Sequence, residues 1–256
     1  MKTKKHILLL SILLISGARV LAQDSTASRS LLPDGLTIRG GIGYIAVRDE
    51  YISGERYSAT LPLYGILWSK HHETYDFRLS MEYQRTQNLK EYDVSTEFSQ
   101  FRIALNYLYP ISEASVISKK LSISLGPTAE IFECDRRQNI SGSQNSQSEV
   151  ALVSGGLRSE AFWPWSTRLE VRAAAHLTLL SMGFHSINSN YSNDSRTKML
   201  TAFNGVDADG EIGIFYSITE SFGGSAGYRF NVTRVSAWDF FISANDNFIV
   251  SLSYGF

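Results

Sequence analysis

The sequence predicts an all-β fold, a single antiparallel up-and-down transmembrane β-barrel of about ten strands. Beyond residue 22, apolar and polar residues alternate with period two in several segments, and this pattern is typical of strands rather than helices. No segment there has the run of ~20 apolar residues that a membrane helix needs. Aromatic residues nevertheless recur at even spacing, as they do on the lipid-facing side of barrel strands.

The first 22 residues have the order of a secretory signal peptide. Lysines precede an apolar run from Ile7 to Ile15, and small residues lead up to Ala22. The apolar run is shorter than the ~20 residues of a spanning helix. We therefore expect export with cleavage near Ala22, followed by a short periplasmic segment at 23–34 and a barrel at 35–256.

The clearest strand runs from Tyr75 to Tyr83, where apolar residues stand at odd positions and polar residues at even positions. The connections between the predicted strands alternate between short turns and longer polar stretches, as expected of periplasmic turns and outer loops. The long outer loops are predicted at 48–56, 85–97, 135–149, 183–205 and 234–247. The ten predicted strands are Leu36–Val47, Tyr57–Trp68, Tyr75–Tyr83, Phe101–Tyr109, Leu121–Ile131, Val150–Phe162, Leu169–Leu179, Glu211–Ile218, Phe222–Val232 and Phe248–Phe256.

The last predicted strand has an apolar or aromatic residue at every second position, namely Phe248, Val250, Leu252, Tyr254 and Phe256. This pattern resembles the C-terminal β-signal of bacterial outer-membrane proteins. The resemblance implies a location in the outer membrane, in contact with its lipid. It also implies the Bam-type barrel assembly machinery as a partner, which would pair with the edge of this strand.

Two further resemblances are local. The leader ending in Ala22-Gln23 is similar to those of exported Bacteroidota proteins. The stretch 40–67, with Gly-Ile-Gly-Tyr at 41–44 and Leu-Pro-Leu at 61–63, is similar to the start of OmpV/MipA-type barrels. Its residues are common strand and turn types, so no function is carried over.

The polar side of the predicted strands is expected to line the lumen with nearly balanced charges. Such a network predicts a plugged barrel, because ten strands enclose a lumen only slightly wider than the eight-stranded kind that side chains fill. The alternative is a narrow porin-like channel for small solutes. The predicted network consists of Arg39, Asp76, Arg78, Glu82, Arg102, Glu130, Arg158, Glu160, Arg168, Glu170, Arg172, His176, Glu211 and Arg229.

A second alternative is a hydrolase at the outer rim. His185 and Ser186 fall in a predicted outer loop, which resembles the rim sites of lipid A deacylases, outer-membrane phospholipase and omptin proteases. Those families have a His-x-Ser triplet or an Asp-His pair, whereas this chain has His185-Ser186-Ile187 and no Asp-His dipeptide. We therefore expect no catalytic residues.

The composition argues against several other classes of function. The formal net charge is −1 without a basic stripe, so no nucleic-acid partner is expected. The single cysteine, Cys134, excludes an internal disulfide framework and a multi-cysteine metal site. Asp207 and Asp209 resemble part of a calcium loop, but the first and twelfth ligand positions lack acidic residues. We expect no metal or cofactor, and a structural, adhesion or interaction role in which the outer loops meet an unknown extracellular or envelope partner.

Overall fold

The described part of the chain forms one antiparallel sheet that closes into a barrel. The computed structural model describes residues 30–256 except 51–52, 92–93, 117–118, 141–143, 190–191 and 239. The predicted signal peptide lies outside these residues. Among them, no helix has the length and apolarity needed to cross a membrane.

Ring closure depends on the pairing of the first strand with the last. β1 and β11 pair antiparallel from Gly35 opposite Gly255 to Asp49 opposite Phe241. The strands are β1 (Gly35–Asp49), β2 (Ser53–His71), β3 (Asp76–Glu91), β4 (Val94–Val116), β5 (Lys119–Ile140), β6 (Gln144–Pro164), β7 (Leu169–Ser189), β8 (Ser192–Thr201), β9 (Gly205–Ser217), β10 (Phe222–Val235) and β11 (Phe241–Gly255).

β8 and β9 together occupy one position in the ring. β9 pairs with β7 over Leu169–Leu177, and β8 pairs with β7 over Leu180–Ser189. Both run in the same direction and are joined by the short turn 202–204. The ring therefore has ten strand positions, which confirms the predicted closed antiparallel barrel of about ten strands.

Side chains alternate between the two faces of the sheet as the sequence pattern predicts. In β11, Phe248, Val250 and Leu252 are at least half exposed, whereas Ile249 and Ser251 between them are buried. The same alternation in the other strands creates an apolar band around the outside of the barrel and a largely polar face inside. This is the inverse of a soluble barrel with a dry core and a wet exterior.

The two ends of the barrel differ, and we name them base and rim. The base carries residue 30, Phe256 and the turns 72–75, 165–168 and 218–221. The rim is the opposite end, where the prediction of long outer loops is wrong. Of the predicted loop residues that the structure describes, most lie in strands that continue toward the rim.

The extension of the strands has a simple physical cause. β4 and β5 contain 23 and 22 residues, whereas about 9–11 suffice to span a bilayer. Beyond the apolar band both faces of a strand can carry polar residues. The sheet then keeps its backbone hydrogen bonds while the hydrophobic alternation that marks a strand in the sequence disappears.

Gly126 provides a test of the strand pairing. A Cβ atom there would lie 1.7 Å from the backbone oxygen of Tyr107 on β4, whereas one at Gly155 would meet no atom within 4 Å. We expect Gly126→Ala to destabilise the barrel by about 1–3 kcal/mol, and the control Gly155→Ala to change stability by less than about 0.5 kcal/mol. The urea midpoint of the refolded protein in detergent measures both, and equal midpoints would contradict the β4–β5 register.

Candidate functional site in the filled interior

The inward face of the strands carries a dense set of charged side chains, which we call the charge layer. It contains the predicted lumen residues except Arg168, and it gains Asp207 and Asp209. Arg168 was wrongly assigned, because it lies exposed in the turn between β6 and β7. The charge layer consists of Arg39, Asp76, Arg78, Glu82, Arg102, Glu130, Arg158, Glu160, Glu170, Arg172, His176, Asp207, Asp209, Glu211 and Arg229.

The sequence contained a signal for the two missed aspartates. Asp207, Asp209 and Glu211 stand at every second position of β9, so all three point to the same side of the strand. Sequence reasoning treated the first two as part of a turn or calcium loop. They instead lie inside the barrel, with Asp207 1% exposed.

Several ion pairs of the charge layer cross the lumen. Arg229 on β10 donates two hydrogen bonds of 2.6 Å to the carboxylate of Glu82 on β3, and these strands are not neighbours in the sheet. Arg39 lies 3.5 Å from Glu82 as well. Parallel bonds from a guanidinium fork to a carboxylate are strong and fix the geometry, so this contact ties opposite walls together.

Arg102 on β4 is the centre of a second crossing contact. Its Nη1 lies 2.8 Å from Glu130 Oε1, and its two Nη atoms donate to the carboxylate of Asp207 on β9 at 3.0 and 3.1 Å. Thr233 Oγ1 and Asn231 Nδ2 also donate to Asp207, at 2.6 and 3.3 Å. The negative charge of the buried Asp207 carboxylate is therefore compensated by one guanidinium group and two neutral hydrogen-bond donors.

A third crossing contact joins β3 to β6. Arg78 Nη1 donates to Glu160 Oε2, and Arg158 Nε donates to Glu160 Oε1 at 2.8 Å. Arg158 also lies 3.4 Å from Asp209. Glu160 is 4% exposed, and a buried carboxylate needs this double compensation because removing it from water is costly.

Glu130, His176 and Asp207 bring ligand-type atoms within 4.8 Å of one another. His176 Nδ1 lies 3.0 Å from Asp209 Oδ2 and 3.9 Å from Glu130 Oε2. These residue types can hold a divalent cation. However, the guanidinium of Arg102 already lies against both carboxylates of the group, so it supplies the positive charge that a metal would bring.

Toward the rim, the charge layer gives way to an apolar cluster that we call the rim core. Its members are contributed by strands all around the ring, and each is at most 2% exposed. Trp238, from the connection between β10 and β11, packs against it. The rim core consists of Ile45, Val47, Tyr57, Leu61, Phe98, Phe132, Cys134, Val150, Leu152, Leu200, Val235 and Phe241.

The chemistry of Cys134 follows from its place in the rim core. Its outward neighbours Glu133 and Asp135 put it beyond the apolar band. Burial raises the pKa of its thiol, which outweighs the opposite effect of the nearby Arg136 guanidinium. A buried thiol with a raised pKa is not a nucleophile at neutral pH.

The structure separates the two residues that suggested a hydrolase. His185 lies inside β7 rather than in a loop and points inward, while Ser186 points outward and is exposed. His185 Nε2 instead lies 3.1 Å from Ser148 Oγ on β6, and its ring lies 5.5 Å from that of Trp238. His185 and Ser148 are each 2% exposed, so this pair closes the rim and is not accessible to a substrate.

The segment before β1 folds into the base of the barrel. Ser30 Oγ and the backbone N–H of Leu31 donate to Glu170 at 3.1 and 2.9 Å. Leu32 is buried against Leu67 and Phe215. This part of the predicted periplasmic segment therefore covers the base end of the charge layer.

His71, at the base end of β2, fastens this segment. Its Nε2 lies 2.9 Å from the backbone oxygen of Leu32, and its Nδ1 lies 2.6 Å from Asp76 Oδ1. A carbonyl oxygen only accepts hydrogen bonds, so Nε2 must carry the donated proton.

The space left inside is small. Two cavities lie beside the charge layer and have volumes of about 50 and 40 Å³. A water molecule needs roughly 10–15 Å³ measured in this way, so each cavity has room for a few waters. Neither is large enough for an organic solute.

Comparison with known proteins finds relatives in fold and none in sequence. No family model and no curated protein matches the chain. The outer-membrane protease OmpT of Escherichia coli is similar with a TM-score of 0.53 and 11% identity, over 91% of this chain and 100% of OmpT. The translocator domain of the autotransporter NalP from Neisseria meningitidis is similar with a TM-score of 0.46 and 10% identity, over 100% and 97% of the two chains.

At sequence identities of 11% and 10%, these similarities show the fold alone. The chain has the closed ten-stranded barrel fold of bacterial outer-membrane proteins, and the particular activity of a neighbour does not follow from it.

Arg102 provides a test of the charge layer. Arg102→Met leaves Glu130 and Asp207 buried without their shared cation, and we expect a loss of about 3–5 kcal/mol in the free energy of unfolding. The control Arg137→Met removes an arginine that is 57% exposed and pairs with Asp135, and should cost at most about 1 kcal/mol. Urea unfolding in detergent measures both. Similar small losses would show that the crossing contacts do not stabilise the barrel.

Proposed function

We propose that this chain is an integral outer-membrane protein with a barrel closed to solutes, in a structural, adhesion or interaction role carried by its rim. The observation that carries this proposal is the rim core. A packed apolar layer across the lumen offers no favourable environment to an ion or polar solute. The surface that remains available to a partner is therefore the outside of the rim.

The apolar band supports the placement in a lipid bilayer. Ile38, Ile212 and Leu252 are 57–62% exposed, and they belong to a band that surrounds the barrel. A continuous apolar surface of this extent is unusual for a monomer in water. It is the outer face expected of a barrel in hydrocarbon.

The extension of the strands beyond the apolar band toward the rim supports an interaction role. Outward residues of β5 beyond the band are Glu133, Asp135 and Arg137, and those of β7 are Ser186 and Asn188. These polar side chains suit contact with water or with a partner outside the cell. Because they stand on paired strands rather than on long loops, the surface is preorganised, which lowers the entropic cost of binding.

Two alternatives receive less support. A narrow porin-like channel would need a continuous wet path, whereas the described cavities have room for a few waters only. A rim hydrolase would need an accessible nucleophile and base, and the Ser148–His185 pair is buried.

Assembly is proposed to follow the usual route for such barrels. Phe248, Val250, Leu252 and Tyr254 point outward on β11, and Phe256, which follows the strand, is exposed. The β-signal resemblance implies this arrangement, and the Bam-type machinery stays a predicted partner. Membership of the OmpV/MipA type also stays a prediction.

A planar bilayer recording tests the closed lumen. We expect the refolded wild-type protein to produce no steady openings, because the rim core and the charge layer leave no continuous wet path. A porin added to the same bilayer at the end of each recording is the control for detection. Steady single-channel openings of the pure protein would overturn the closed barrel and support the channel.

Cysteine labelling on whole cells tests the orientation. Ser195 is exposed on β8 at the rim, and Thr167 is exposed in a base turn. In a Gram-negative host, a membrane-impermeant maleimide should label Ser195→Cys on intact cells and Thr167→Cys only after the envelope is broken. The wild type, whose Cys134 is 1% exposed, is the background control. The opposite labelling, or labelling of neither variant in the membrane fraction, would contradict the proposed placement.

A further inference from the structure

A row of arginines lies outside the barrel, where the apolar band ends toward the rim. Arg56 on β2 lies opposite Arg48 on β1, and Ile242 on β11 lies opposite both Arg48 and Arg234 of β10. The three arginines therefore occupy one level across four adjacent strands. All three are exposed, and the residue next to each in its strand is buried inside, so the guanidinium groups point away from the lumen.

We propose that this arginine row binds the phosphate groups of an anionic lipid headgroup in the outer leaflet. The inference rests on the proposed function, because it requires the apolar band to lie in a bilayer. Guanidinium groups match phosphate geometry with parallel hydrogen bonds and are less strongly hydrated than ammonium groups. Guanidinium groups are therefore suited to a site at the boundary between water and lipid.

Phe240 brings two of the arginines together. The Cζ atoms of Arg48 and Arg234 lie 5.7 and 5.4 Å from the centroid of its ring. The negative face of the ring attracts each cation and limits the freedom of both side chains. The guanidinium groups of Arg48 and Arg234 both lie near this ring, and a doubly charged phosphate bound by them would reduce the repulsion between their charges.

The outward row next to the arginines, on the side of the band, carries small side chains on three strands, and we call this row the recess. It consists of Ser58, Ala46 and Ala244, which are opposite one another in the β2–β1–β11 register, and it ends at Val232 on β10. Ala46 is 8% exposed. The larger side chains of Tyr44 and Phe230 follow one row further toward the base. A headgroup can therefore lie over the small residues, with its phosphate at the arginines and its chains along the apolar band.

The charges around the recess favour an anion. Arg48 pairs with Glu50 at 3.0 Å, whereas neither Arg56 nor Arg234 has an acidic partner among the described residues. Asp246, at the far edge of the recess, accepts a hydrogen bond of 2.7 Å from Tyr228 Oη. Asp246 is thus directed to the tyrosine and lies two rows away from the arginines.

On the opposite wall of the barrel, acidic side chains outnumber arginines among the outward residues of β4, β5 and β6 beyond the band. These residues include Glu97 on β4, Glu133, Asp135 and Arg137 on β5, and Glu149 on β6. The arginines beyond the apolar band are therefore not distributed evenly around the barrel. The asymmetry directs an anionic headgroup to the β10–β11–β1–β2 side.

The test measures lipid binding to the refolded protein in neutral detergent by native mass spectrometry. The probes are bis-phosphorylated lipid A and the same lipid after removal of its phosphates. We expect phosphorylated lipid A to stay bound to the wild type, and the double variant Arg48→Gln/Arg234→Gln to bind it at least about tenfold more weakly, since charge-assisted hydrogen bonds are lost. Arg137→Gln, which removes an outward arginine on β5, is the matched control and should bind as the wild type does.

Three results would overturn the inference. They are equal binding by the double variant, equal binding of the dephosphorylated lipid, and displacement of the lipid by millimolar inorganic phosphate, which would assign the site to the free anion. Folding is checked separately, by the change in gel mobility between unheated and boiled samples. A wild type without this change contradicts the proposed membrane barrel itself. A wild type that folds but retains no lipid A contradicts only the arginine site.

Discussion

Backbone amide and carbonyl groups cannot remain unpaired in hydrocarbon, because each unsatisfied group costs several kcal/mol. In this protein the pairing of β1 with β11 meets that requirement. Once the ring is closed, every strand has one face toward the surroundings and one toward the lumen. The apolar band outside and the polar side chains inside are consequences of that division.

Closure creates a second problem, since the lumen of ten strands must be filled or left wet. The half toward the base is filled by arginine–carboxylate pairs, and Arg229–Glu82 and Arg102–Asp207 join strands that are not neighbours. Buried ion pairs are stable only when each charge is compensated, so these contacts select one arrangement of the walls. The half toward the rim is filled mainly by apolar side chains, together with a few paired polar side chains such as Arg136 with Asp49 and Ser148 with His185.

The predictions from sequence succeeded where one face of a strand meets lipid. The predicted strands Tyr75–Tyr83 and Phe248–Phe256 lie within β3 and β11 except for their first and last residue, respectively, because lipid on one side and a polar lumen on the other impose strict alternation. They failed at the rim, where water or the rim core replaces these surroundings and His185 was taken for a loop residue. Arg168 was misplaced because alternation does not mark the residue at which a strand ends.

The sequence by itself determined the β-barrel class, the inward and outward faces of most strands, and most members of the charge layer. These depend on local periodicity, which is written in neighbouring residues. Only the tertiary structure decided which charges meet, that Asp207 and Asp209 belong with Arg102 and His176, and that Phe98 and Phe132 close the lumen. Those contacts join residues far apart in the chain, and their partners are set by the registers of all ten strand positions together, which no local pattern specifies.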